Sequence, residues 1–201
     1  MAAPPCPYVA SYSEETVDLD VSFAPHPQAI SGMRLTYPRP AGGDRRFGVL
    51  WARQDIHRRG RPEFDRMNTP RQVECMLGGL CQVCREPASH AGRLWWLFPH
   101  PARSGSPRVS KPPTCRACIP AASDACPTLR RESYVYTSGL YSLYGVLGHL
   151  LAPTEIGPQM CAHHNGRTVW ELPFGPSRAI EWTLARALIV QVQDLRAETA
   201  P

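Results

Sequence analysis

Cys81-Gln-Val-Cys84 and Cys115-Arg-Ala-Cys118 are two CxxC pairs separated by a stretch containing Trp95 and Trp96, and their reading decides the fold. Each short loop lets two sulfurs face one point, and the intervening segment returns the second pair to the first. Four thiolates so spaced close a tetrahedral site, for which Zn2+ is the expected ion. Four sulfurs leave no position for water or substrate, so the expected role of the metal is structural. The competing use of cysteine is a disulfide framework. The N-terminus, Met1-Ala-Ala-Pro-Pro-Cys6 followed by Glu14 and Glu15, has neither a basic n-region nor an apolar h-region. A reduced, cytoplasmic chain is therefore expected. The longest apolar run, over residues 140–151, is broken by Ser142, Gly145, Gly148 and His149. It falls short of the roughly 18 residues a membrane span requires.

Outward from the cysteines, the chain reads as α+β. Residues 1–16 are Pro-rich and polar and are expected to be disordered. Val17, Leu19, Val21 and Phe23 alternate with polar residues as a half-buried strand does, and residues 34–37 and 47–52 read as further strands around a turn-rich loop at 38–43. Residues 17–66 thus form an Arg-rich β region. A zinc module with its preceding helix is expected over 67–133. Thr69 caps that helix, Pro70 takes its first position, Gln72 completes a capping box and Gly78-Gly79 ends it. Residues 94–98 read as a strand, and a helix starts close to Cys118, because Pro120 is tolerated only in a first turn. The remainder, 134–201, reads as a β-hairpin plus a helix. Asn165-Gly166 is the hairpin turn, flanked by 160–164 and 167–172. Pro176 begins the helix, with Ile180, Leu184, Leu188, Val192 and Leu195 on one stripe. All of these segments are expected to pack into one unit.

Knuckle, hairpin and a helix carrying the second ligand pair resemble a treble-clef zinc module over residues 78–131. Such knuckles usually carry glycine after the second cysteine, where this chain has Arg85. A wider pattern comprises Cys81-Gln-Val-Cys84, Pro112-Pro-Thr-Cys-Arg-Ala-Cys118, Cys126-Pro-Thr-Leu-Arg-Arg131 and Glu181-Trp-Thr-Leu184. It is similar to a family of uncharacterised actinobacterial zinc-cysteine proteins, and that resemblance implies no activity.

Charge points to a partner class. Residues 34–131 hold 18 Lys+Arg against 7 Asp+Glu, net +11, whereas the two ends together carry net −6. Arg45 and Arg46, and the cluster Arg58, Arg59 and Arg61 in His57-Arg-Arg-Gly-Arg61, are the candidate nucleic-acid contacts. The same excess follows from GC-rich codon use, since Lys111 is the only lysine. The reading ranked first is a noncatalytic zinc protein engaging nucleic acid or another anionic partner. An adaptor for protein partners, with structural zinc, stands second.

Enzymatic readings start from the same cysteines. Cys84-Arg-Glu86 followed by Pro113-Thr-Cys115-Arg-Ala-Cys118 looks like the cytidine-deaminase pattern, in which Glu86 would shuttle protons and Cys81 would be dispensable. Pro87 interrupts the helix that pattern requires. A degenerate HNH-like nuclease would draw on His90 or His100, neither of which adjoins an acid. Cys161, His163 and His164 form a candidate second site with His149 or Cys126, although strand alternation puts His164 opposite the other two. Cys6, Cys75 and Cys126 have no partner at ligand spacing, and Cys75 is a substitute ligand should Cys81 not be one. No nucleophile elbow, P-loop or dinucleotide fingerprint occurs.

Overall fold

The computed structural model describes residues 6–102, 107–163 and 165–199. It is mixed α/β and strand-rich with few helices, and it divides into two compact units. The first comprises Met1–Glu15, Ile56–Leu143 and Val190–Pro201, and the second comprises Thr16–Asp55 and Tyr144–Ile189. Two long strands, Tyr134–Thr154 and Thr183–Glu198, contribute residues to both.

In the first unit the strand Ala10–Tyr12 pairs antiparallel with Pro62–Met67, with a bulge between Ala10 and Ser11. Ordered structure therefore begins well before Val17, inside the segment expected to be disordered. The cause is a buried ionic network that composition conceals. The Glu15 carboxylate accepts from the Arg71 guanidinium, from Asn68 Nδ2 at 3.0 Å, and from the N–H groups of Tyr12 and Arg58 at 3.0 and 2.9 Å. Arg71 also donates to the carbonyls of Tyr8 and Ala10. A buried carboxylate and guanidinium are tolerable because each is paired and hydrogen-bonded.

The helix Thr69–Gly78 follows directly. Its cap is Asn68, whose side chain accepts from the Arg71 N–H, so the expected cap at Thr69 lies one residue too late. Pro70 is accordingly the second helical residue, not the first, although still in the first turn, and Gly79 ends the helix in the left-handed conformation (φ 60°). Beyond the first cysteine pair, Ser89–His90 and Arg93–Phe98 form a tight hairpin. Its turn residues Ala91 and Gly92 both have positive φ, 50° and 74°, as a two-residue connection with the right twist requires. Arg93–Phe98 then pairs with residues 134–138, from Leu94 opposite Ser138 to Phe98 opposite Tyr134. Trp95 packs with Leu97, Ile119 and Val135. Trp96 faces the other way, donating from Nε1 to Ser138 Oγ at 2.8 Å.

In the second unit, Ser22–Pro25 pairs with Met33–Thr36 and Arg45–Arg46 with Val49–Trp51. The expected strand over 17–23 is thereby displaced, and Val17 makes only an isolated bridge to Gln54. Leu50 and Trp51 run parallel to Leu184 and Ala185, and the core gathers Val21, Leu35, Tyr37, Leu50, Ala52, Leu151 and Leu184.

The C-terminal expectations are overturned twice. Residues 157–173 do not pair across Asn165-Gly166. Gly157–Met160 and Val169–Pro173 instead pair separately with successive parts of the same long strand, at 151–154 and 145–149. The turn is present, with Gly166 at φ 78°, but it sits in a loop between two strands that pair with the long strand and not with each other. The final element is also not a helix. Only Arg178–Glu181 is helical, and Thr183–Glu198 is a strand. Leu184, Leu188 and Val192 recur every four residues, an even interval that also keeps them on one face of the strand, whereas Ile180 belongs to the short helix. Ala185, Ala187 and Ile189, on the alternate positions, are buried as well, and a strand buried on both faces reads as continuously apolar.

Candidate metal centre

Two turns in the first unit bring the two cysteine pairs together. Residues 81–84 form a turn closed by the Cys81 N–H donating to Glu86 O at 2.7 Å and the Arg85 N–H donating to Cys81 O at 2.9 Å. The second pair lies across the 3-10 turn Arg116–Cys118, closed by Cys118 N–H to Cys115 O at 2.9 Å, and leads into the helix Ile119–Ala125. Gln82 joins the two halves. Its N–H donates to Pro113 O at 2.8 Å, and its Nε2 donates to Thr114 Oγ1 at 2.7 Å. Thr114 is fully buried, and its N–H donates to Trp95 O at 2.9 Å, tying the second pair to the hairpin.

The result is a set of four sulfurs, from Cys81, Cys84, Cys115 and Cys118, all within 4.8 Å of one another. It is the one group of three or more His, Cys, Asp or Glu side chains so arranged among the described residues. Cys84 Sγ and Cys115 Sγ stand 3.7 Å apart. Metal–sulfur bonds of about 2.3 Å in a tetrahedron put sulfurs about 3.8 Å apart, whereas a disulfide needs about 2.05 Å. All eight cysteines are free thiols. The Val83 N–H points at Cys81 Sγ at 3.4 Å. Burial, and then the adjacent Cys115 thiol, push Cys118 well above the ordinary range of a thiol. A bound cation removes that penalty, because ligand thiols must be deprotonated. The donor set therefore fits a metal ion.

Cys75 lies outside the four-sulfur set: it is buried in the helix before the knuckle, directs its Sγ at Cys81 O, and is pushed up to about 12 chiefly by burial. Cys126 lies between the helices Ile119–Ala125 and Pro127–Arg131, and its carbonyl accepts from the Arg130 N–H. Cys6 accepts a hydrogen bond from Tyr12 Oη at 3.4 Å.

Arg85 carries the cost of the absent glycine. Its φ is 68°, a left-handed conformation disfavoured for residues with a Cβ. Its guanidinium is held against Glu74 Oε1, 3.0 Å from Nε and 2.5 Å from Nη2. Glu74 in turn accepts from Tyr8 Oη at 2.7 Å. Hydrogen bonds first from Tyr8 and then from Arg85 keep that carboxyl below its ordinary range, against the opposing effect of burial.

The other candidate residues are dispersed. Glu86 is exposed in the turn after Cys84, and His90 and His100 are exposed on and beyond the hairpin. The His163 ring stacks on Trp170 at 3.6 Å, and Trp170 Nε1 donates to Cys161 O at 2.8 Å. His149 Nδ1 lies 3.2 Å from Thr168 O. His164 lies outside the described residues. Among the basic candidates, Arg45 is half-buried and spends its guanidinium on the carbonyls of Gly48 and Leu35, whereas Arg46 is exposed. Arg58, Arg59 and Arg61 are all exposed, and Arg58 donates to Tyr12 Oη at 3.0 Å. Tyr8 and Glu74, which hold the knuckle, carry no local signal in the sequence, since their roles arise from residues distant along the chain.

No helix among the described residues is long and apolar enough to cross a membrane. Comparison with protein-family models, with curated proteins and with solved structures finds no match to the chain.

Proposed function

We propose that the chain is a noncatalytic zinc protein that engages nucleic acid through its arginine-rich surface, the zinc holding a treble-clef-like module in shape. The observation that carries the zinc half is the four-sulfur set, with its 3.7 Å separation between Cys84 and Cys115. Thiolate donors favour Zn2+ over harder cations, and a four-thiolate shell is saturated. The anionic partner is supported by the net +11 of residues 34–131 and by the exposure of Arg46, Arg58, Arg59 and Arg61.

Two measurements on the reduced protein test this reading together. Elemental analysis should find about one zinc per chain, lost in Cys81→Ser. Binding to DNA and RNA should weaken steeply as salt is raised, because each neutralised phosphate releases counterions. Zinc retained by Cys81→Ser would replace the closed site with an open one, and nucleoside deamination dependent on Glu86 would then be the assay of choice. Absence of salt-sensitive nucleic-acid binding would leave the metal site and sink the partner.

A further inference from the structure

Tyr8 is the point at which the metal knuckle and the basic loop meet, all within the first unit. The Tyr8 N–H donates to Val83 O at 3.0 Å and the Val9 N–H to Gln82 O at 3.2 Å, so the N-terminal segment runs along the knuckle. Around the Tyr8 ring stand the guanidinium carbons of Arg85 at 5.3 Å and of Arg58 and Arg71 at 5.9 Å from its centroid. Arg58 lies over Tyr12 as well, at 5.3 Å. Residues far apart in sequence thus form a ladder of arginines and tyrosines that runs from beside Cys84 to the loop at 57–61.

The loop is shaped to present its charges. Arg58 and Gly60 both take positive φ, 55° and 86°. A Cβ at Gly60 would lie 2.4 Å from Ser13 Oγ, so only glycine permits this approach. The Arg61 N–H donates to that same hydroxyl at 3.0 Å, which pins the far side of the loop. Glu15 is neutralised by Arg71, and Glu74 by Arg85. The exposed guanidiniums of Arg58, Arg59 and Arg61 remain, offset in part by Glu14, whose side chain lies beside Gly60.

Deepening the nucleic-acid reading above, on which it rests, we infer that Tyr8, Arg58 and Arg85 join the metal knuckle and the 57–61 loop into one face that binds single-stranded nucleic acid. Phosphates meet Arg58, Arg59 and Arg61, and a base lies against the guanidinium planes of Arg58 and Arg85. Guanidinium planes offer a stacking surface to unpaired bases, which a duplex keeps within its own stack. The metal supports this face, because the same knuckle that carries Cys81 and Cys84 holds Tyr8 by two main-chain hydrogen bonds.

The test uses the full zinc-loaded chain, a short fluorescein-labelled oligothymidine and a duplex of equal length, with anisotropy recorded over a salt series. Oligothymidine should bind more tightly than duplex. Arg58→Gln and Tyr8→Leu should each weaken it by about fivefold or more at unchanged zinc content, and Arg58→Gln should lower the salt slope by about 0.7. Should Tyr8→Leu lose zinc, Tyr8→Phe keeps the ring and should bind within about twofold of wild type, and Arg58→Gln then decides. Wild-type binding in Arg58→Gln, with loss in Arg46→Gln instead, would overturn the face while leaving the nucleic-acid function intact. Preference for duplex would overturn the single-strand assignment. A phosphopeptide bound where no oligonucleotide binds would overturn both this inference and the function on which it rests.

Discussion

Removal of the metal is the perturbation with the most specific expected consequence. A structural zinc site contributes an apparent ~10–16 kcal/mol, as much as the whole stability of an ordinary domain. The apolar cluster around the cysteines is small: beside Cys81 its buried members are Val83 and Ala88, with Leu94 and Ala122 partly buried. Full burial of a valine contributes only ~1.5–3 kcal/mol, which is below the cost of ordering more than a few residues. Chelation should therefore release the knuckle and the second cysteine pair. The hairpin strand Arg93–Phe98 should stay, although its Leu94 touches the cysteine cluster, because Trp95 and Leu97 pack with Ile119 and Val135 and the strand pairs with residues 134–138. Hydrogen exchange read by mass spectrometry separates these segments. The amides of Tyr8, Val9, Gln82, Arg85 and Cys118, all bonded to or within the knuckle and second pair, should lose about a thousandfold or more in protection, equivalent to ~4 kcal/mol at 1.4 kcal/mol per decade. Residues 95–97 should change far less. Retained protection at Gln82 and Cys118 in protein shown to be metal-free would refute the reasoning, since the fold would then hold the thiols without a cation.

Further outcomes are expected from the rest of the molecule. Glu15→Ala leaves the Arg71 guanidinium, 3% exposed, without its counter-charge and should cost ~3–5 kcal/mol, read by urea denaturation. Gly145→Ala would place a Cβ 2.0 Å from Leu172 O and 2.8 Å from Pro173 Cα, both main chain, so a loss of ~3 kcal/mol in the same assay is expected. Burial, opposed by the Thr168 carbonyl, holds His149 below its ordinary 6.5. A depressed folded-state value means that the unfolded chain binds the proton more readily. Stability should consequently fall as pH drops below about 6.5, and His149→Gln should flatten that limb of a pH series of thermal melts. Asp44 accepts two hydrogen bonds from Arg53, at 2.9 and 2.7 Å, and is held below its ordinary 3.8. Its contribution is complete above that value and should be lost in stronger acid, an effect that Asp44→Asn abolishes.

Spacing alone made the four-sulfur cluster legible, because four sulfurs in two CxxC loops have few other uses and a short loop fixes which atoms face together. The helix before the knuckle was readable for the same reason: Pro70 and Gly79 act through their own backbone, although the neighbouring Asn68 and Thr69 both satisfy the rule for a cap. Residues 94–98 were visible as a strand, and its alternation puts Trp95 and Trp96 on opposite faces. What tertiary structure decided is what depends on partners. Leu184, Leu188 and Val192 satisfy helical and extended spacing alike, and pairing with Val49–Trp51 and Arg108–Val109, not periodicity, makes this segment a strand. Asn165-Gly166 turns the chain as such a dipeptide should, yet its flanks find a better partner in one long strand than in each other. The N-terminal segment looks unstructured because its order comes from Arg71, Asn68 and Arg58, more than forty residues away along the chain. The sequence by itself determined the two cysteine pairs and the local turns, which depend on neighbours along the chain. Strand pairing, the Glu15 network and the Tyr8 ladder came only from folding, because their energies exist only between segments that the sequence keeps apart.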